Sequence, residues 1–298
     1  MTDVLKGVRV VELSTVITAP LAGMMLADLG AEVIKVEHPQ GGDPFRAFRG
    51  GQYSPNFVAY NRGKRSIQLD LRADAGRSIL LKLVARADVL LENYRPGIMA
   101  KLGLGDDVLE AANARLIHCS ITGFGASGPY SARPAYDNVA VALSGIASLQ
   151  LDREHPQSSG PTIPDNATGM FACYGILGAL YERAHSGRGH RVDVNMLEAG
   201  IAFIPDPFAN YTRAGIKSDR LTRVAASQSF AFRCGDGKLI AVHLSSRRSS
   251  SRPWRQRWNG PTSCATNGLP RATCGSRTTA SSPACSARSS QQSRAPIG

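Results

Sequence analysis

Asp165 stands in Thr162-Ile163-Pro164-Asp165-Asn166-Ala167-Thr168-Gly169, where a proline-rich approach gives way to an amphipathic pattern. A carboxylate at a helix start has two uses. It caps free backbone amides, or those amides and the positive end of the helix dipole keep it ionised beside a place for an oxyanion, the setting of a nucleophile. Position alone leaves both open. The other chemical patterns are weaker. Gly123-Phe124-Gly125-Ala126-Ser127-Gly128 matches the dinucleotide fingerprint literally, but Pro129 follows instead of a helix, so it reads as a loop in close backbone contact. Gly63-Lys64-Arg65-Ser66 lacks the earlier glycine of a Walker loop and reads as a solvated basic turn or a phosphate contact. Six scattered His and no G-x-S-x-G, H-E-x-x-H or paired C-x-x-C leave hydrolase-triad and zinc chemistry unsupported; no metal is expected.

The elements that must position Asp165 follow from periodicity. Met170, Phe171, Tyr174, Leu177, Leu180 and Tyr181 recur at spacings of three and four and predict one apolar helix face, closed by Gly187 after Arg183 and His185. A strand follows at 191–196. Upstream, strand 8–13, helix 20–29 and strand 32–36 form a βαβ unit. A second round adds helix 76–87, strand 89–92, a helical stretch over 97–114 and strand 116–121. This alternation predicts an α/β protein: a Rossmann-like large domain, 1–200, whose mostly parallel sheet is covered on both faces. A linker, 201–224, leads to the start of a small domain, 225–246, opened by a hairpin around Gly235-Asp236-Gly237.

The formal charge of +12 is unevenly placed. Residues 247–298 hold nine Arg and no Lys, Asp or Glu, leaving 26 basic against 23 acidic residues, or +3, in the body. The tail has no apolar period and predicts disorder. It is either a basic arm or a segment translated out of frame; the absence of a basic helical stripe or an RNA-binding aromatic motif favours the second, so no nucleic-acid partner is expected. Cys119, Cys173 and Cys234 are far apart in apolar or strand-like surroundings and predict free thiols, which fits the cytoplasm. No signal sequence is evident, and the apolar run 21–29 is too short to span a bilayer.

Val10-Val11-Glu12-Leu13-Ser14, Leu29-Gly30-Ala31-Glu32-Val33-Ile34-Lys35-Val36-Glu37 and Asn61-Arg62-Gly63-Lys64-Arg65-Ser66-Ile67 closely resemble the class III CoA-transferases, the formyl-CoA and carnitine CoA-transferase group. Glu92-Asn93-Tyr94-Arg95-Pro96-Gly97, Thr122-Gly123-Phe124-Gly125 and Ser186-Gly187-Arg188-Gly189-His190 do so too, in order over residues 5–246. The resemblance implies transfer of CoA from an acyl-CoA to a carboxylic acid through an aspartyl anhydride and an aspartyl-CoA thioester at Asp165, with CoA as substrate and no permanently bound cofactor.

It further implies that Ile17 and Thr18 line the thioester, that His38, Leu69 and Arg72 meet the nucleotide end of CoA, and that Asn93, Tyr94, Arg95 and Lys101 follow its pantetheine and phosphates. Ile17 replaces a glutamine and Lys101 an arginine of the formyl-CoA branch, which speaks against oxalate or formate. Asp137 matches a second acid near the nucleophile, tuning Asp165, positioning substrate or capping a helix. The related α-methylacyl-CoA racemases carry a His before this acid; here Tyr136 stands there, a poor base at neutral pH. A racemase and a CoA-binding remnant without activity are the alternatives. Family members interlock as homodimers through a small domain that this chain departs from after Ser246, so aggregation or weak dimerisation is expected.

Overall fold

The computed structural model describes residues 3–227 and 229–243; the tail reading at 247–298 lies outside them. The chain divides into two compact units after Arg223. The first unit runs β1 (Arg9–Leu13), α1 (Thr18–Asp28), β2 (Glu32–Glu37), α2 (Pro55–Asn61), β3 (Lys64–Gln68), α3 (Asp74–Val84), β4 (Val89–Glu92), α4 (Ile98–Lys101) and α5 (Asp106–Ala112). It continues with β5 (Ile117–Thr122), α6 (Asp137–Leu143), α7 (Ile146–Gln150), α8 (Ile163–Ser186), β6 (Arg191–Asn195), α9 (Met196–Phe203) and α10 (Pro205–Ala214). In the second unit β7 (Ser229–Arg233) and β8 (Leu239–His243) form the antiparallel hairpin anticipated around Gly235-Asp236-Gly237.

All six strands of the large sheet are parallel, in the order β3-β2-β1-β4-β5-β6. The central strands are apolar on both faces because each face is covered, as the alternation required. On one face Val10, Val33, Leu91 and Ile121 pack with Ala22 and Leu26 of α1 and Ala172 and Ile176 of α8. On the other, Val11, Leu13 and Leu90 pack with Leu80 of α3 and Leu109 of α5. Each fully buried leucine or isoleucine here contributes about 1.5–3 kcal/mol relative to exposure. Strand order reverses between β1 and β4, so the loops leaving their carboxyl ends diverge and open a crevice, the usual ligand position of a doubly wound sheet.

Three expectations needed correction. The stretch over 97–114 is two short helices broken at Gly103, whose φ of +70° favours glycine. Gly63-Lys64-Arg65-Ser66 is no solvated turn: β3 starts at Lys64, whose side chain is buried against Glu12. The apolar face read on α8 is divided. Leu177 and Leu180 pack on the core, but Tyr174 is 77% exposed and Met170, Phe171 and Tyr181 also face outward. The buried face is built of Ala167, Thr168, Gly169, Ala172, Cys173, Ile176 and Ala179, because small residues let α8 lie close to α1 and the sheet. Cys119 and Cys173 are buried free thiols, and Cys234 is partly buried.

Candidate active site

The crevice at the β1/β4 switch has a volume of about 340 Å³. Thr15 to Thr18 enter it from the end of β1, Asn93 to Pro96 from the end of β4 and Gly123 from the end of β5; Arg133, Tyr136, Asp165 and Met196 also line it. The sequence after β1 does not continue into a relaxed turn. Val16 has φ of +71°, a left-handed conformation that a β-branched residue avoids and that costs about 1–3 kcal/mol. Asn93 clamps this loop from the front: its Oδ1 accepts the Thr15 N–H at 3.1 Å, and its Nδ2 donates to Thr15 O at 2.9 Å and Thr18 Oγ1 at 3.1 Å. Asn93, expected along the pantetheine, therefore also shapes the opposite wall.

Asp165 is the third residue of α8, in its amide-rich first turn. Its carboxyl makes no hydrogen bond or ion pair among the described residues. The capping role belongs instead to Asp137 at the start of α6, whose Oδ1 accepts the Asp165 N–H at 3.1 Å. Two acids thus converge, and among the described residues neither forms an ion pair. Burial, and then the Asp137 charge, push the Asp165 carboxyl up to about 7; burial also raises Asp137, opposed by the bond from the Asp165 amide. Replacing Asp137 with Asn removes the second of the Asp165 causes and is expected to move the Asp165 titration to lower pH, measured by the carboxyl 13C chemical shift.

Gly169 sets how closely α8 packs. It lies in the second turn of α8, where amides belong to the helical ladder. A Cβ there would come within 2.6 Å of Thr18 O and 2.9 Å of Leu21 Cβ, so glycine is what lets α8 bring Asp165 close to the Thr18 loop. Gly169→Ala is expected to separate α1 from α8 and to destabilise the fold by about 1–3 kcal/mol, read from denaturant unfolding.

Of the residues carried over from the resemblance, Ile17, Thr18, Asn93, Tyr94 and Arg95 line the crevice with Asp165. His38, Leu69, Arg72 and Lys101 do not. His38 is exposed just beyond β2 and Arg72 is exposed in the turn beyond β3, on the carboxyl edge of the same sheet. Leu69 is a buried core residue, and Lys101 is exposed at the end of α4.

Behind the crevice lies a charged cluster that sequence reasoning missed. Lys35 Nζ is 3.0 Å from both Glu12 Oε1 and Asp43 Oδ2, and donates to Ser14 O at 2.9 Å. Lys64 Nζ reaches Glu12 Oε2 at 2.8 Å and donates to Pro20 O and Asn61 Oδ1. All four charged side chains are nearly inaccessible; that of Lys35 is 1% exposed. Mutual attraction outweighs burial for Glu12, held low, and for Lys35, held high, whereas burial wins at Lys64 and lowers it to about 8. Gly23 makes room for the cluster, since a Cβ there would sit 2.0 Å from Glu12 Oε2. The signal was available: Glu12 and Lys35, opposite charges in strands covered on both faces, are register partners.

Fold and crevice together define a doubly wound α/β protein with a carboxylate at the switch point. The sequence profile of CoA-transferase family III matches residues 5–256, past the compositional change at 247, and the chain belongs to that family. It is 39% identical over 232 residues to the succinate–glutarate CoA-transferase of Agrobacterium fabrum, covering 73% of this chain and 57% of that protein. The succinyl-CoA–L-malate CoA-transferase beta subunit of Chloroflexus aurantiacus is 42% identical over 202 residues, 65% of this chain and 49% of its own. Among solved structures, a CAIB/BAIF family protein of Brucella suis superposes with a TM-score of 0.73 at 37% identity, covering 78% of this chain and 64% of that one. Rv3272 of Mycobacterium tuberculosis gives 0.67 at 35%, covering 77% and 60%. The chain spans about half the length of the curated relatives it matches.

Proposed function

We propose that the protein moves CoA from an acyl-CoA to a carboxylic acid, with Asp165 as the acyl-accepting nucleophile. The observation that carries this reading is an unpaired carboxyl at the amino end of α8, in the switch-point crevice of a CoA-transferase family III chain. The Asp165 carboxylate attacks the thioester carbonyl, forming a mixed anhydride and expelling CoA thiolate. The thiolate returns to the aspartyl carbonyl and releases the donor acid, leaving an aspartyl-CoA thioester. The acceptor carboxylate attacks that carbonyl, and CoA thiolate takes the new acyl group from the second anhydride, regenerating Asp165. No proton is consumed, and each intermediate keeps the activation of the thioester. The positive end of α8 stabilises the oxyanions.

Mixing the protein with an acyl-CoA in the absence of acceptor is expected to add the mass of CoA less water to the peptide bearing Asp165. Mass spectrometry finding that peptide unmodified, with label exchange between acyl-CoA and free acid intact, defeats the assignment. Dicarboxylates such as those named for the relatives are the first acceptors to assay. A cytoplasmic site is proposed from the buried free thiols Cys119 and Cys173; among the described residues no helix is long and apolar enough to cross a membrane.

A second reading is a CoA-binding chain without turnover, since Ile17, Thr18, Asn93, Tyr94 and Arg95, the residues carried over for CoA, line the crevice whatever Asp165 does. Calorimetric CoA binding with no exchange of label selects it. The family's homodimer is proposed as the assembly, supported by the outward Met170, Phe171, Tyr174 and Tyr181 of α8; light scattering decides between a dimer, a monomer and aggregates.

A further inference from the structure

The loop that lines the crevice after β1 is held in a conformation its own sequence disfavours, and the group that accepts its Val16 amide lies outside the crevice. Val16, at φ of +71°, donates its N–H to Asp43 Oδ1 at 3.3 Å. The same oxygen accepts the Phe45 N–H at 2.9 Å, and Asp43 Oδ2 faces Lys35 Nζ at 3.0 Å. Lys35 grips the loop a second time through Ser14 O, two residues before Val16. Asp43 is fixed in turn, its own N–H donating at 2.9 Å to Glu37 Oε2, which also accepts from Arg46 Nε. A buried carboxylate with these partners has one orientation available, and through it the Val16 amide has one as well.

We propose that Asp43, supported by Lys35, is a positioning residue for acyl transfer: it holds Val16 in the left-handed conformation and so sets the Ile17 and Thr18 edge of the crevice that Asp165 lines. The inference rests on the acyl-transfer reading of that crevice. Asp43 touches no reacting atom. Its carboxylate supplies the acceptor that makes a strained valine acceptable, and without it the loop relaxes toward conformations a β-branched residue prefers. Glycine adopts this φ without steric cost, so it is the residue that removes the need for the tether.

The test is made on the full chain, with two readouts. Asp43→Ala is expected to lower kcat by roughly 10²-fold while KM for acyl-CoA stays within about threefold, because a wall displaced near the reacting carbonyl costs turnover more than binding. Amide hydrogen exchange over residues 14–18 is expected to quicken in the same variant. Adding Val16→Gly to Asp43→Ala is expected to return at least about tenfold of the lost kcat, which a merely structural role for Asp43 does not explain. Unchanged exchange in Asp43→Ala overturns the proposal, as does a kcat loss that Val16→Gly fails to recover. If Asp43→Ala does not yield folded protein, Asp43→Asn, of the same shape, carries the same comparison. Failure of the underlying reading looks different: Asp165→Ala then keeps native activity, while the exchange difference between Asp43→Ala and the native chain persists.

Discussion

Asp165→Ala is expected to lower CoA transfer by roughly 10³–10⁶-fold, with the affinity for CoA itself changed less than about threefold. The side chain that forms both covalent intermediates is then gone, while Ile17, Thr18, Asn93, Tyr94 and Arg95 still line the crevice. Isothermal calorimetry with CoA and label exchange between acyl-CoA and free acid separate the two quantities. Full exchange activity in Asp165→Ala removes the nucleophile assignment altogether.

The native chain's pH profile follows from the same residue. With the carboxyl raised to about 7, mainly by burial and then by Asp137, the ionised nucleophile is a minority below neutrality. Transfer measured as kcat/KM is therefore expected to rise about tenfold per pH unit on the acid side and to level above about 7. Stability moves the opposite way. A folded carboxyl titrating above its ordinary value of 3.8 holds its proton more tightly than the unfolded chain does. Its contribution is present at low pH and is lost as pH rises toward about 7. Asp165→Asn is thus expected to gain stability at about pH 8 and almost none at about pH 4. The ceiling is about 4 kcal/mol, and partial exposure reduces it to roughly 1–2 kcal/mol. An inactive variant that is also more stable than the native chain marks a carboxyl placed for chemistry at the fold's expense.

The α/β class and the alternation of elements were legible because strands covered on both faces read as apolar runs and intervening helices announce themselves at their ends. Asp165 was legible as a residue, but its role was not: whether it caps α8 depends on Asp137, twenty-eight residues earlier in the chain, and no local pattern reports that contact. The apolar stripe on α8 misled for a physical reason. Periodicity weights large residues, whereas the α1 contact selects small ones, so the face carrying Gly169 and Ala172 is buried and the one carrying Tyr174 is not. Lys64 misled similarly, since a basic residue near a glycine resembles a turn until the carboxylate it pairs with, fifty-two residues away, is known.

Lys35→Met is expected to destabilise the protein by about 3–5 kcal/mol, the largest stability loss of any substitution considered, because it strands two buried carboxylates at once. Methionine fills similar volume, so the loss is electrostatic rather than a cavity: Glu12 keeps Lys64 as its one cation beside the Ser14 hydroxyl, and Asp43 loses the ammonium 3.0 Å from its Oδ2. The exposed pair Arg65–Glu32 is the control. Its side chains are 76% and 41% accessible, and Arg65→Ala is expected to cost less than about 1 kcal/mol in the same denaturant experiment. The pH dependence separates charge from packing. Stranded carboxylates in the variant take up protons more readily when folded than when unfolded, so the deficit is expected to be greater at about pH 8 than at about pH 5. A deficit independent of pH assigns the loss to packing instead. Lys35 also anchors Ser14 O, so this stability defect and the loss of order in the Val16 loop are expected to appear together, tying the buried cluster to the wall of the crevice.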